Sequence, residues 1–351
     1  MPLRALYLCY FGLREPLVQT QVLPYLRELT AGGVAMSLLT FEREPFDEGP
    51  WREALQGIEW HALRYHKSTW LKPYDIVRGA WKAAAMAPDL FHGRSHAGTA
   101  MGALAKLVRG GKLIFDIRGF LADEYADSGN WRTHGVLYRL AKRVEQWLYR
   151  AADGFVVLTE AARGEVSSRA KPLEVIPCCI DPARFAGDER VDLPNHPIFI
   201  YCGTLGGYYL GDEMRALAAR AGAHPLILSQ RSVLPKDVPK YLRAADVAML
   251  LVRPSYARSA MSPAKFAEYL AAGLPVIATK GIGDLDAQIT EGRIGVLLDG
   301  DDYDAALRAM DELRRDPELP ERCRAFARTH YDLHSVGGVR YRRLYDAVLR
   351  A

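Results

Sequence analysis

The sequence predicts an α/β protein built from two Rossmann-like domains, each a doubly wound parallel sheet, and three observations carry that expectation. Short apolar runs alternate with longer amphipathic stretches along the chain, the strand-then-helix order that parallel sheets require. The alternation stops once, in a polar stretch punctuated by prolines between positions 177 and 197, and then restarts. At 351 residues and 49% hydrophobic content, the chain is long enough for two cores of ordinary size.

Taken in order, residues 3–9 read as a buried strand that runs into a loop at Gly12. Residues 19–30 read as a helix that tolerates Pro24 only near its start. Residues 34–40, 113–115 and 154–158 follow as strands, with helices over about 98–108 and 135–149. Pro177, Pro182, Pro194 and Pro197, with Gly187, mark the break. A second set of strands follows at 198–202, 225–228, 247–252, 275–278 and 294–298. Residues 335–350 form a helical pattern with no strand after it, which closes the second domain or packs back on the first. The expected plan is a first domain over 1–180, open to completion by 335–351, a linker over 181–196 and a second domain over 197–334.

Lysine and arginine number 46 against 42 acids, a net +4 that suits an enzyme handling an anionic substrate and is too small to argue for nucleic acid. The five cysteines are sparse, and the adjacent Cys178 and Cys179 do not suit a disulfide, so a reducing cytoplasm is expected. The first ten residues lack the apolar core of a signal peptide, and no apolar run reaches the ~18 residues that span a bilayer. Membrane contact is then expected to be peripheral, at the inner face.

Open parallel sheets bind ligands outside the carboxyl ends of their strands, so the loop after 247–252 is the most informative one. It leads into Ser262, Pro263, Ala264 and Lys265, and the short helix that follows stops at Gly273. Serine is expected as the N-cap, proline as the first helical residue and glycine as the closing residue. The free amides of Ala264 and Lys265, with the lysine charge in the first turn, suit a diphosphate; a plain capped helix with a solvated lysine accounts for the residues equally well. Glu268 sits one turn on, beside the stripe of Phe266, Tyr269 and Leu270. It reaches a hydroxyl pair such as a ribose, or pairs with Lys265.

The run Ser262-Pro263-x-Lys265-x-x-Glu268-Tyr269-Leu270-Ala271-x-Gly273-x-Pro275-Val276 resembles the donor motif of the family 4 retaining glycosyltransferases. Stretches 152–159, 201–207 and 241–247 are similar to that family too, so the resemblance covers nearly the whole chain. It implies the GT-B fold, two Rossmann-like domains facing across a cleft. It also implies a nucleotide diphosphate sugar as donor, a UDP-sugar first among them, a glycan or lipid-linked acceptor, and no metal or other cofactor. By that resemblance Glu268 holds the nucleotide ribose, while the amides near Ala264 hold the diphosphate, Ser262 and Pro263 line the same site, and Gly203, Thr204 and the Gly12 loop, with Gln19 and Gln21, lie nearby. Two departures stand out. The family's leading glutamate, which grips the donor hexose, falls on Ala260, and its arginine and lysine clamp is missing after Cys202. Lys265, with Arg231 or Arg258, must then supply the positive charge. Arg118 stands where many relatives carry a histidine. It binds a sugar hydroxyl or phosphate, or pairs with Asp116, Asp123 or Glu124, and it cannot act as a base. The implied reaction is hexose transfer with retention in assembly of a bacterial surface polysaccharide or glycoconjugate, with Lys265 stabilising the departing diphosphate. A catalytically degenerate nucleotide-sugar-binding protein and an epimerase on the same fold are the alternatives.

Other patterns carry less. His92 and His96 have the spacing of metal ligands on a helix, yet Gly93 between them favours substrate contact or capping. Asp284 with Asp286, and Asp302 with Asp304, read as turn and helix-start acids. Residues 131–150 give one apolar and one basic face, which packs on the sheet or lies on an anionic membrane surface.

Overall fold

The computed structural model describes residues 2–43, 47, 49–167, 170–193, 196–229 and 233–351. The chain divides into two compact units, one of residues 1–176 with 337–351, the other of residues 177–336.

The first unit holds strands β1 (Arg4–Leu8), β2 (Ala35–Glu42), β3 (Ile58–Arg64), β4 (Leu90–Arg94), β5 (Lys112–Asp116), β6 (Gly154–Val157) and β7 (Leu173–Val175). They form one parallel sheet in the order β3-β2-β1-β4-β5-β6-β7. The order reverses between β1 and β4, the position at which doubly wound sheets open a crevice. Helix Ser95–Arg109 lies against β1 and β4 because glycines admit it: a Cβ on Gly98 would stand 2.2 Å from the Leu8 carbonyl, and one on Gly93 2.3 Å from Thr99 Cα. Pro24 breaks what reads as one helix into Pro16–Gln21 and Leu23–Ala31, and it occupies an early position of the second piece, where its missing N–H costs nothing.

Strand β4 escapes the sequence reading because His92 and Arg94 interrupt its apolar run, although both are buried. The edge strands β3 and β7 escape it for want of a clean apolar run. Helix Val339–Arg350 is part of the first unit, which resolves the two placements open for the tail. Arg340 donates to the Val175 carbonyl at 2.6 Å, and Tyr345 Oη lies 2.7 Å from His92 Nδ1. In helix Val136–Ala151, Leu148 and Tyr149 are buried, but Val136, Leu137, Leu140 and Val144 are exposed, so most of the apolar face is not spent on the core.

The second unit holds β8 (Ile198–Cys202), β9 (His224–Leu228), β10 (Val247–Leu250), β11 (Val276–Thr279) and β12 (Gly295–Leu298), all parallel, in the order β12-β11-β10-β8-β9. Its order reverses between β8 and β10. Both faces of the sheet are covered, by Phe266, Tyr269 and Leu270 on one side and Met214 and Leu217 on the other, which explains the unbroken apolar strands. Part of the expected linker is built into this unit. Asp181 accepts from the Ala183 amide at 2.9 Å to cap the turn Pro182–Phe185, and Phe185 is buried in the core. Pro194 lies outside the described residues.

Candidate functional site

The loops after β8 and β10 flank the reversal point of the second sheet, and helix Ala264–Ala271 starts from the second of them. Its cap differs from expectation. Pro263, at φ −71° and ψ 116°, is the capping residue, and the helix begins at Ala264. Ser262 does not cap it, because its hydroxyl instead accepts from the Cys178 amide at 3.2 Å. At the other end, Gly273 takes φ +83° and closes the helix, with its amide and that of Leu274 returning to Leu270 and Tyr269. The first amides, at Ala264 and Lys265, have no carbonyl one turn back and remain donors for an anion.

Lys265 is held by aromatic side chains. Its Nζ donates to Tyr201 Oη at 2.9 Å and lies 3.8 Å from the ring centroid of Tyr209 and 4.7 Å from that of Tyr201. Tyr201 Oη in turn donates to the Thr204 carbonyl at 3.1 Å. Burial lowers the lysine to about 8, with Glu268 the main opposing influence. Gly203 makes room: at φ +143°, a Cβ there would stand 2.9 Å from Lys265 Nζ. Sequence reasoning paired Lys265 with Glu268 as one possibility. Glu268 instead lies 3.9 Å from Arg184 Nη1, with its side chain 21% exposed, and burial raises its carboxyl above the ordinary range. Arg184 was not singled out, since it sits in the stretch read as linker.

Arg258, on the turn Tyr256–Ala260, is 5% exposed, and its guanidinium lies 3.7 Å from the Tyr208 ring centroid. Its Nε has no hydrogen-bond partner among the described residues. Tyr208 packs on Tyr209 at 4.7 Å and Tyr209 on Tyr201 at 5.5 Å, so three tyrosines connect the two cations. Ala260 is buried on the same turn. Arg231 lies outside the described residues.

Apart from Asp286 and Asp302 of the second unit, the remaining candidates belong to the first unit, and they are committed to other partners. The Gly12 loop turns onto its own carboxylate: the Leu13 amide donates to Glu42 Oε1 at 3.0 Å, and a Cβ on Gly12 would stand 2.4 Å from Oε2. Gln19 donates to the Leu13 carbonyl, and Gln21 is buried. Arg118 donates to Asp116 at 2.9 Å and to Tyr341 at 2.7 Å, the ion-pair alternative of the sequence reading. Burial pushes Asp116 up, but Arg118, His92 and Arg94 outweigh it and hold the carboxyl well below the usual range. His92 joins this network and is lowered by burial, while His96 lies 3.2 Å from Glu145. Asp286 accepts from the Gly281 amide, and Asp302 caps a helix through Ala305. Among the described residues no three His, Cys, Asp or Glu side chains gather as metal ligands.

Residues 18–179 match the family model described as glycosyl transferase 4-like domain, and residues 206–330 match glycosyl transferases group 1. The chain is 31% identical over 166 residues to a D-inositol 3-phosphate glycosyltransferase of Streptomyces scabiei, a match covering 47% of this chain and 36% of that relative. It thus spans about a third of the curated relative's length. Among solved structures, a sucrose-phosphate synthase from Thermosynechococcus elongatus superposes with a TM-score of 0.69 at 16% identity, covering 99% of this chain and 100% of that one. Anabaena Alr3699/HepE in complex with UDP-glucose gives 0.66 at 14% identity, covering 98% and 99%.

Proposed function

Because the chain belongs to the family 4 glycosyltransferases and has their GT-B fold, we propose that it transfers a hexose from a UDP-sugar to a hydroxyl acceptor with retention, without a metal. The observation that carries the reading is the pair of cations, part-buried Lys265 and buried Arg258, stacked on tyrosines beside the open amides of helix Ala264–Ala271. A buried cation without a carboxylate partner is costly until an anion arrives, and a diphosphate supplies that charge. The solved neighbour carrying UDP-glucose favours uridine as the base. Glu268, kept apart from Lys265, accepts hydrogen bonds from the ribose hydroxyls.

In the reaction the bond from the sugar anomeric carbon to the diphosphate oxygen breaks, and its electron pair stays on the diphosphate. Lys265, Arg258 and the helix amides stabilise that charge. The acceptor oxygen bonds to the same carbon on the same face, and its proton passes to the departing phosphate. Arg118, held by Asp116, plays no part in this reading. The acceptor is a glycan or lipid-linked glycan of a bacterial surface polysaccharide or glycoconjugate. Ala260 favours a second reading, a protein that binds the nucleotide sugar without turnover, because the hexose lacks its usual carboxylate.

Donor turnover measured as UDP release separates the two readings. The reaction reading expects release that Lys265→Ala and Glu268→Ala each reduce by at least about a hundredfold, the scale of losing one transition-state contact. Saturable UDP-sugar binding with no release establishes the second reading, and unchanged turnover in both variants overturns the site.

A further inference from the structure

We propose that one helical face of the first unit docks on an anionic lipid bilayer surface, an inference that does not depend on the donor chemistry. Helix Lys72–Met86 carries Tyr74, Val77 and Trp81 on its outer side, and Trp70 in the turn before it continues the same line. The spacing of four, three and four residues puts them on one stripe. Trp70 is 92% exposed and Trp81 78%, whereas Gly79, Ala80 and Ala83 of the same helix face inward and are buried. Helix Ser95–Arg109 packs alongside, and Arg109 donates to the Ala84 carbonyl at 3.0 Å, so the last turns of the two helices adjoin. There Leu107 and Val108 are exposed as well. On its other side this helix meets Val136–Ala151 with its own exposed Val136, Leu137 and Leu140. Apolar side chains exposed in this number on neighbouring helices mark a contact surface.

The charge identifies the partner. The three helices carry nine lysines and arginines and two acids, in a chain with 46 and 42 overall. Both acids face inward: Asp75 binds Tyr10 and His66, and Glu145 binds His96 and Lys142. Asp123, on the helix next to Val136–Ala151, is taken up by Tyr138 and Lys142. Lys106 pairs with Asp153, Lys142 with Asp123 and Glu145, and Arg78 with Asp75, and the basic excess outlasts these pairs. Tryptophan and tyrosine on an apolar stripe flanked by an excess of lysine and arginine match the composition of the bilayer interface, where rings sit at headgroup level and cations meet anionic lipid. Among the described residues no helix is long and apolar enough to cross a membrane, so side chains alone make the contact.

Co-sedimentation of the full chain with phosphatidylglycerol/phosphatidylcholine vesicles, and with phosphatidylcholine vesicles alone, tests this. The expected result is binding to the anionic vesicles with a blue shift of tryptophan fluorescence, and little binding to the neutral ones. The double variant Trp70→Ala/Trp81→Ala loses both signals. Lys72→Glu/Lys82→Glu weakens sedimentation by at least about thirtyfold, since each basic residue near such a surface contributes about a factor of five and the substitution removes two and adds two repelled acids. The unfolding temperature of each variant stays close to the wild-type value and shows that it is folded. Wild-type protein that ignores anionic vesicles overturns the proposal, as does equal retention of both variants. It is also overturned if the aromatic variant instead converts a dimer of this chain to monomer without any lipid effect.

Discussion

Replacing Lys265 with methionine should stabilise the empty protein while abolishing its affinity for UDP. Burial lowers the lysine from its ordinary 10.5 to about 8, and at about 1.4 kcal/mol per pH unit the buried charge costs about 3 kcal/mol at neutral pH. The contacts with Tyr209 and Tyr201 return about 1–2 kcal/mol of this. Methionine keeps the length and the ring contacts, so the net gain is about 1–2 kcal/mol, or about 2–8 °C in the unfolding temperature of a unit of this size. The pH dependence is specific. Between about 8 and 10.5 the unfolded chain keeps the proton that the folded chain has released, so wild-type stability rises with pH across that window and the gap to the variant closes. Below about 8 the gap is flat. Bound UDP raises the lysine again, so UDP affinity of the wild type falls up to tenfold per pH unit above about 8. Thermal unfolding from pH 6 to 11, with and without UDP, reads both effects. A variant less stable than wild type at pH 7 that still gains stability from UDP would refute the reasoning.

Gly203→Ala should reduce UDP affinity at least tenfold and cost about 1–3 kcal/mol, because the new methyl meets Lys265 Nζ at 2.9 Å and the backbone is at φ +143°; calorimetric titration with UDP and denaturant unfolding measure the two losses. Asp116→Asn should cost about 3–5 kcal/mol by leaving Arg94 and Arg118 buried without their shared counter-ion, with UDP affinity of the folded fraction unchanged. Asp116 is held low in the folded state, so its contribution is full above the ordinary carboxylate value of 3.8 and is lost only as the pH falls below it. Denaturant melts of wild type and variant, converging at strongly acid pH, check that sign.

The features read well from the sequence are those fixed by near neighbours in the chain. The stop at Gly273, the helix carrying Lys265 and Glu268, and the apolar strands β8 and β10 all follow from spacing, glycine conformation and two-sided burial. What escaped depends on distant partners. Ser262 has the side chain of an N-cap, but a backbone amide 84 residues away takes its hydroxyl. Arg184 meets Glu268 from within the stretch read as a linker, and Tyr208 supplies the ring for Arg258 from a loop after another strand. Strand β4 is hidden for the same reason, since His92 and Arg94 are acceptable inside only because Asp116, Tyr7 and Tyr345 are there to meet them. The Gly12 loop is placed near the diphosphate by resemblance alone, and the sequence gives no sign that the neighbouring Leu13 amide donates to the chain's own Glu42.

The return of helix Val339–Arg350 to the first unit sets a timetable for synthesis. Tyr341 and Tyr345 complete the bonding of Asp116, Arg118 and His92, yet they are translated only after the 160 residues that make up the second unit. At about 5–20 residues per second, a nascent first unit waits roughly 10–30 s with its interior polar groups only partly matched while the second unit is being made. The first unit is therefore expected to need shielding on the ribosome until the last helix emerges.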